Sequence, residues 1–257
     1  MKFNNPWLSL GILAVVLVGG SVAYSQFVNS RANQGVELVD HIKGNLEAEV
    51  RVVEYSDFEC SACAAFFPIV NLLMDMYGDE ISFEYKHFPV IENNPQVLLA
   101  AEAAGQQGMF FEYHNLLFEN YSEWSRGGNV DRFLRQYAED LSLDMNQWET
   151  QRRSSLLRNK IRDDYDEGVS MGVTVTPTFL INDEIITIEN YQDLITAVED
   201  VLGVESFGSD DLGAIEFDMD DVDIQMEDDN SGDLEIQNNS DIQSENTQDE
   251  PEVRFGF

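Results

Sequence analysis

The order of strand and helix signals predicts an α/β chain made of a βαβ half and a ββα half with a helical block inserted between them. Three observations support this. The segments RVVEYS at Arg51 to Ser56 and ISFEYKHFP from Ile81 flank the helical stretch AAFFPIVNLLMDMYG, the pattern of two parallel strands joined by a crossover helix. From Asn94 to about Gly168 the signals are almost wholly helical. Thereafter TPTFLIN and IITI, separated by a turn at Asp183-Glu184, read as a hairpin, and YQDLITAVEDVL reads as a closing amphipathic helix.

Each element has its own warrant. RVVEYS is β-branched and aromatic, as a buried strand is. In the second strand Phe83, Tyr85 and His87 alternate with Glu84 and Lys86. The helical block divides into PQVLLAAEAAGQQGMFFEYHNLLFEN, VDRFLRQYAEDLSLD and MNQWETQRRSSLLRNKIRDDYDEGVSMG, punctuated at Gly127-Gly128 and Leu143-Asp144. The expected organisation is a folded domain over 35–204, with its insertion at about 94–168, between two unlike flanks.

The first flank, 1–34, carries no charge from Phe3 to Ser30, and WLSLGILAVVLVGGSVAY is 18 residues of mostly apolar character. A helix needs about 20 such residues to cross a bilayer. The expectation is a signal-anchor in the cell membrane with Lys2 in the cytoplasm and the rest of the chain outside. The alternative is a secretory signal cleaved near Ser21-Val22-Ala23, which would leave a secreted protein. The other flank, 205–257, has 18 acidic residues against the single Arg254, too little apolar surface to offset chain entropy, and is expected to be disordered. Within it DDNSGDLEIQ lacks the ligand order of a calcium loop. The formal net charge of -35 repels phosphate backbones and argues against nucleic acid as a partner.

The chain has two cysteines, Cys60 and Cys63, in EYSDFECSACAAFFP. A closed zinc site needs four ligands, whereas the three histidines, His41, His87 and His114, are spread through the chain with no pair three to five apart. No metal is therefore expected. A purely structural disulfide over two intervening residues removes little chain entropy. The redox reading needs two thiols one helical turn apart at a helix start, where free backbone N–H groups and the helix dipole favour a thiolate. A helix beginning at about Cys60 would make Cys60 the nucleophile and place Cys63 on the same face, one turn deeper. Asp57 and Glu59 should oppose that thiolate by like charge. His114, at helical spacing from Phe110, Phe111 and Phe118, reads as a packing or surface residue, and His87 ends a strand.

VEYSDFECSAC, KHFP, GMFFEYHNLLFEN and VTPTFLIN, in this order, resemble the DsbA-like thiol:disulfide oxidoreductases of bacteria over roughly His41 to Leu202. The resemblance implies a thioredoxin-like fold with a helical insertion and no cofactor beyond the cysteine pair. It implies catalysis by Cys60 and Cys63, with exchange through a mixed disulfide at Cys60 that Cys63 then attacks. It implies a cis bond at Thr176-Pro177, where the backbone binds substrate, and a proton-transfer role for Glu54. The implied partners are unfolded or reduced exported proteins and a quinone-linked membrane partner that reoxidises the pair. The sequence departs from the family at Ser61-Ala62, where a ring or cation often stands between the cysteines. Alternatives on the same fold are a reductase or isomerase, and, from another class, a membrane-anchored chaperone or binding module.

Overall fold

The computed structural model describes residues 6–90 and 95–205, with side chains from Val15 onward. At its centre is β2 (Val50–Ser56), buried at every position but Arg51. After α2 (Ser61–Tyr77), β3 (Ile81–His87) returns parallel to it, with Val52 opposite Phe83. This is the βαβ half.

Burial continues on both faces of β3, so its polar positions do not meet water. Glu84 and Lys86 are buried and ion-paired with each other at 3.1 Å, Lys86 also with Glu167 at 2.9 Å, and Arg51 bonds Glu84 at 2.8 Å. Buried charges persist in folded chains where they are paired in this way.

One strand was absent from the sequence reading. His41–Gly44 forms β1, an edge strand antiparallel to β3 with His41 opposite Tyr85. The segment HIKG is too short to show periodicity.

On the other side of β2, β4 (Thr178–Ile181) and β5 (Glu184–Ile185) form a hairpin, giving the order β1-β3-β2-β4-β5. The turn sits one residue earlier than expected, at Asn182 and Asp183, both left-handed with φ of 50° and 70°. Two-residue hairpin turns require such angles, and Asn and Asp tolerate them. Asn182 also caps the neighbouring strand, its side-chain oxygen accepting from Arg51 N at 2.8 Å. The strand expected over IITI is correspondingly short, though Ile186 N still reaches Phe179 O at 3.0 Å. α9 (Tyr191–Leu202) follows, started by a capping box of Asn190 and Asp193 and ended at the left-handed Gly203.

The insertion comprises α3 (Pro95–Gly105), α4 (Phe110–Glu119), α5 (Tyr121–Trp124), α6 (Val130–Asp140), α7 (Met145–Gln151) and α8 (Ser155–Met171). Asp144 caps α7 and Ser154 caps α8 through side-chain oxygens that accept the first free N–H groups. Its core is aromatic, and three of its buried polar tips find backbone acceptors: Tyr113 OH on Leu134 O at 2.8 Å, Trp124 Nε1 on Leu117 O at 2.7 Å and Trp148 Nε1 on Ala100 O at 3.0 Å. α8 closes over the sheet at Gly168, where an added Cβ would stand 2.7 Å from the Phe88 ring and 2.9 Å from that of Tyr55.

The membrane expectation is corrected here. The first segment is helical, α1 (Pro6–Ala32), but among the described residues no helix is long and apolar enough to cross a membrane. From Val15 the helix meets Gly19, Gly20, Ser21 and Ser25 and ends in the polar run SQFVNSRA. Its end is fastened to the folded domain: Ala32 is buried, and Asn33 Oδ1 accepts from Ser154 Oγ at 2.8 Å and Ser155 N at 3.0 Å. The acidic segment expected to be disordered lies, from Ser206 on, outside the described residues.

Candidate active site around Cys60 and Cys63

The loop from β2 to α2 is bonded at almost every backbone group. Asp57, buried, accepts Glu59 N–H at 3.0 Å and Val90 N–H at 3.1 Å on its carboxylate, and its carbonyl accepts Cys60 N–H at 3.1 Å. Glu59 O accepts the Tyr121 hydroxyl at 3.0 Å, and Cys60 O accepts Ala64 N–H at 3.1 Å, the first turn of α2. Asp57, expected to oppose a thiolate, thus directs its charge at the loop's own N–H groups.

Cys60 occupies the N-cap position with extended backbone, φ -85° and ψ 119°, and its side chain makes no capping bond. It is half-buried, whereas Cys63 is sealed inside, and both are free thiols. A hydrogen bond from the Cys63 thiol lowers the Cys60 pKa most, with help from the Thr176 side chain and the N–H groups of Cys63 and Ala62, while burial opposes; the result is about 6. Activated thiols span roughly 3.5 to 7.5, so the sulfur is largely thiolate at neutral pH. Ser61-Ala62 contributes no ring or cation; the Cys63 thiol does most of that work, with Thr176 and the backbone at the helix start adding to it.

Cys63 is moved the other way, well above an ordinary thiol, first by burial, then by its bond to Cys60 and the charges of Glu54 and Cys60. Glu54, in the middle of β2, is buried, and burial raises its carboxyl to about 7 against the nearby Ser56 hydroxyl and the cation of Lys43. Such a group exchanges a proton readily at neutral pH.

Two side chains here were missed from sequence. Ser56 lies two residues from Glu54 on the same strand face, a spacing that sequence alone displays. Lys43 comes from the unrecognised β1, its ammonium 5.1 Å from both the Phe83 and Phe111 ring centroids. No local signal points to it.

Thr176-Pro177 has a cis peptide bond and stands against the cysteines from 116 residues downstream: the Cys60 thiol donates to Thr176 O at 3.4 Å. The structure therefore assembles Cys60, Cys63, Glu54 and Thr176-Pro177 at one end of the sheet.

The histidines form a different constellation. His41 Nε2 and His87 Nε2 converge on Glu102 Oε1 at 2.8 and 2.9 Å, and ligating atoms of all three residues lie within 4.8 Å of one another. Sequence spacing could not foresee this grouping. A divalent cation there would face the Lys160 ammonium, 3.7 Å from the shared oxygen and itself 2.9 Å from Asp164. The carboxylate thus already has its positive partner, and the donor set suits a buried ion cluster better than a metal centre. His114 is buried among Phe58, Phe67, Phe110 and Phe118, and burial lowers its pKa to about 3, leaving it a neutral packing residue.

Comparison with known proteins agrees with this architecture. Residues 37–200 match the family model described as Thioredoxin. Among curated relatives, the Na(+)/H(+) antiporter NhaA 3 of Salinispora tropica is 35% identical over 146 residues, 56% of this chain, and NhaA 1 of Mycobacterium sp. strain KMS is 32% identical over 150 residues. The chain spans only about a fifth of these relatives' length, 22% and 23%. Similar solved structures include a thioredoxin-like oxidoreductase from Silicibacter pomeroyi, at 22% identity and TM-score 0.55, covering 69% of this chain and 98% of that one. BdbD from Bacillus subtilis gives 21% and 0.55, covering 66% and 95%, and alpha-DsbA1 from Wolbachia pipientis 18% and 0.55, covering 67% and 96%. With the five-stranded sheet, its helical insertion and the cysteine pair at the start of α2, the chain belongs to the thioredoxin family and shares the fold of these DsbA-like structures.

Proposed function

We propose that this thioredoxin-family protein is a thiol-disulfide oxidoreductase and works as an oxidant, forming disulfides in exported proteins outside the cytoplasm, with Cys60 as nucleophile and Cys63 as its buried partner. The carrying observation is the opposed pair of sulfurs: Cys60 is stabilised as a thiolate at about 6 while Cys63 is held as a thiol. Whatever stabilises the reduced thiolate destabilises the disulfide, which makes the pair more oxidising.

The steps balance as follows. A substrate thiolate attacks Sγ of Cys60 in the oxidised pair, the Cys60–Cys63 bond breaks, and Cys63 leaves as a thiolate that takes up a proton. Glu54 is the group placed to supply it. A second substrate thiolate then attacks the substrate sulfur of the mixed disulfide, expelling Cys60 as thiolate and closing the substrate's own disulfide. The substrate loses two electrons and the cysteine pair gains them. Attack by Cys63 on the mixed disulfide, the step expected from sequence, is the reverse and reductive route. Thr176 and Pro177 would hold the substrate backbone beside Cys60, and a quinone-linked partner would reoxidise the pair. The absence of any third cysteine supports this reading, since a further thiol would be trapped during exchange.

The test is the reduction potential of the pair against glutathione, together with oxidation of a reduced, unfolded substrate by the protein and by Cys60→Ser. A potential well above that of the glutathione pool and loss of activity in the variant are expected. A strongly negative potential would replace the oxidant by a reductase, and an active Cys60→Ser protein would end the catalytic assignment.

A further inference from the structure

We infer that Tyr121, on the inserted helices, is a positioning residue for the Cys60 thiolate, acting through the Glu59–Cys60 peptide. The inference rests on the oxidoreductase reading above and extends it to a residue outside the two halves of the family fold.

The geometry is as follows. The peptide between Glu59 and Cys60 is gripped at both ends, its N–H by Asp57 O at 3.1 Å and its C=O by the Tyr121 hydroxyl at 3.0 Å. The first grip is local to the loop. The second comes from 62 residues away, from the insertion. A carbonyl so engaged points its negative end at a donor, away from the sulfur one residue on. The same peptide sets the φ of Cys60, and so where Sγ lies relative to the N–H groups of Ala62 and Cys63 that stabilise its charge.

Tyr121 is itself held in place. Its ring packs edge-on to Trp124 at 5.7 Å between centroids, and Trp124 is anchored by its bond to Leu117 O. Ser125 N–H bonds Tyr121 O at 3.0 Å, which fixes the backbone of the short helix that carries the phenol. The phenol is close enough to the thiols for the charges of Cys60 and Cys63 to act on it, and burial keeps it in the protonated, donating form. Without the hydroxyl the Glu59 carbonyl loses a fixed donor and the peptide is free to rotate toward water, carrying Cys60 out of register with the helix N–H groups.

The test compares three full-length proteins: unmodified, Tyr121→Phe, and Tyr113→Phe as the control. Tyr113 donates its hydroxyl to Leu134 O inside the same insertion, so its loss has a purely structural effect. The readouts are the pH dependence of Cys60 alkylation by iodoacetamide and the reduction potential, with thermal melting to follow stability. Tyr121→Phe should slow alkylation about threefold at pH 6, through a higher thiol pKa, and make the pair less oxidising. Tyr113→Phe should lower the melting temperature and leave both thiol properties unchanged. Equal alkylation profiles for Tyr121→Phe and the unmodified protein, or equal shifts in both variants, would overturn the inference while leaving the oxidoreductase reading intact. An ordinary thiol titration in the unmodified protein would overturn both.

Discussion

The Cys60 sulfur lies 3.4 Å from the carbonyl oxygen of Thr176, a residue 116 positions later in the chain. The Thr176 hydroxyl is buried, has no hydrogen-bond acceptor within bonding geometry and contributes to lowering the Cys60 pKa. Thr176→Val removes that hydroxyl and keeps the branched shape. The Cys60 pKa should rise from about 6 by roughly half a unit to one unit, the scale of one nearby hydroxyl dipole turned toward a thiolate. Thiolate absorbance followed against pH measures it, and an unchanged midpoint would remove Thr176 from the site's electrostatics.

Stability of the reduced protein should depend on pH in a way the oxidised protein does not share. Cys60 titrates near 6 when folded and near the ordinary thiol value, about 8.5, when unfolded. Between these values the unfolded chain binds more protons, so the reduced form gains stability as pH rises and loses it as pH falls through 6. Cys63, shifted upward, acts oppositely only above about 8.5, where the unfolded thiol ionises first. Melting of both redox forms from pH 5 to pH 8 should show a widening gap; parallel curves would contradict the lowered pKa.

Glu54→Gln should keep the size of the buried side chain while removing the group that titrates near 7. Substrate oxidation should slow about tenfold at neutral pH, within the usual worth of general acid catalysis, and the limb of the pH–rate profile near 7 should disappear. A variant that retains the limb would assign it to another group.

The Glu102 cluster makes a separate prediction. Burial pushes the Glu102 carboxyl up, but the charge of and hydrogen bond from His41, the bond from His87 and the charge of Lys160 outweigh it and hold its pKa below the usual range, while burial lowers that of His41. Both depressed values contribute stability above the unfolded pKa values that is lost as pH falls below them. Glu102→Gln should destabilise the fold by about 3 kcal/mol, because it leaves Lys160 with a weaker partner in the core. Denaturant unfolding at pH 7 and pH 4 should show a smaller difference between variant and parent at the lower pH. A near-neutral substitution would mean that the cluster's charges are not buried as described.

Gly168→Ala should cost about 1 to 3 kcal/mol, since its methyl group would overlap the rings of Phe88 and Tyr55 on the packed face of the sheet. Helix propensity alone would favour alanine there. A stabilised variant would show that the face is looser than the structure describes.

Legibility from sequence followed the range over which each signal acts. The parallel pair β2 and β3, the helical block and the cysteine-bearing helix start announce themselves through periodicity within a dozen residues. β1 did not, because four residues of mixed polarity carry no period, and Lys43 went unnoticed with it. The site's second half was legible only by resemblance, since nothing near Thr176 indicates that it meets Cys60. His41, His87 and Glu102 converge from three elements through tertiary packing, which no spacing encodes. The apolar opening read as a membrane span because a hydropathy window over residues 7–24 leaves out the more polar end of α1 and cannot see the docking of Asn33 on the start of α8.

The contacts of Cys60 have a temporal meaning. Its sulfur is tuned by Thr176, and its loop is gripped by Tyr121, both of which leave the ribosome after it does. A half-made chain therefore carries a thiol without its distant contacts, and only on completion does it gain the full tuning of its site. Reactivity is deferred until the hairpin closes, so the protein is least able to cross-link itself while it is most exposed.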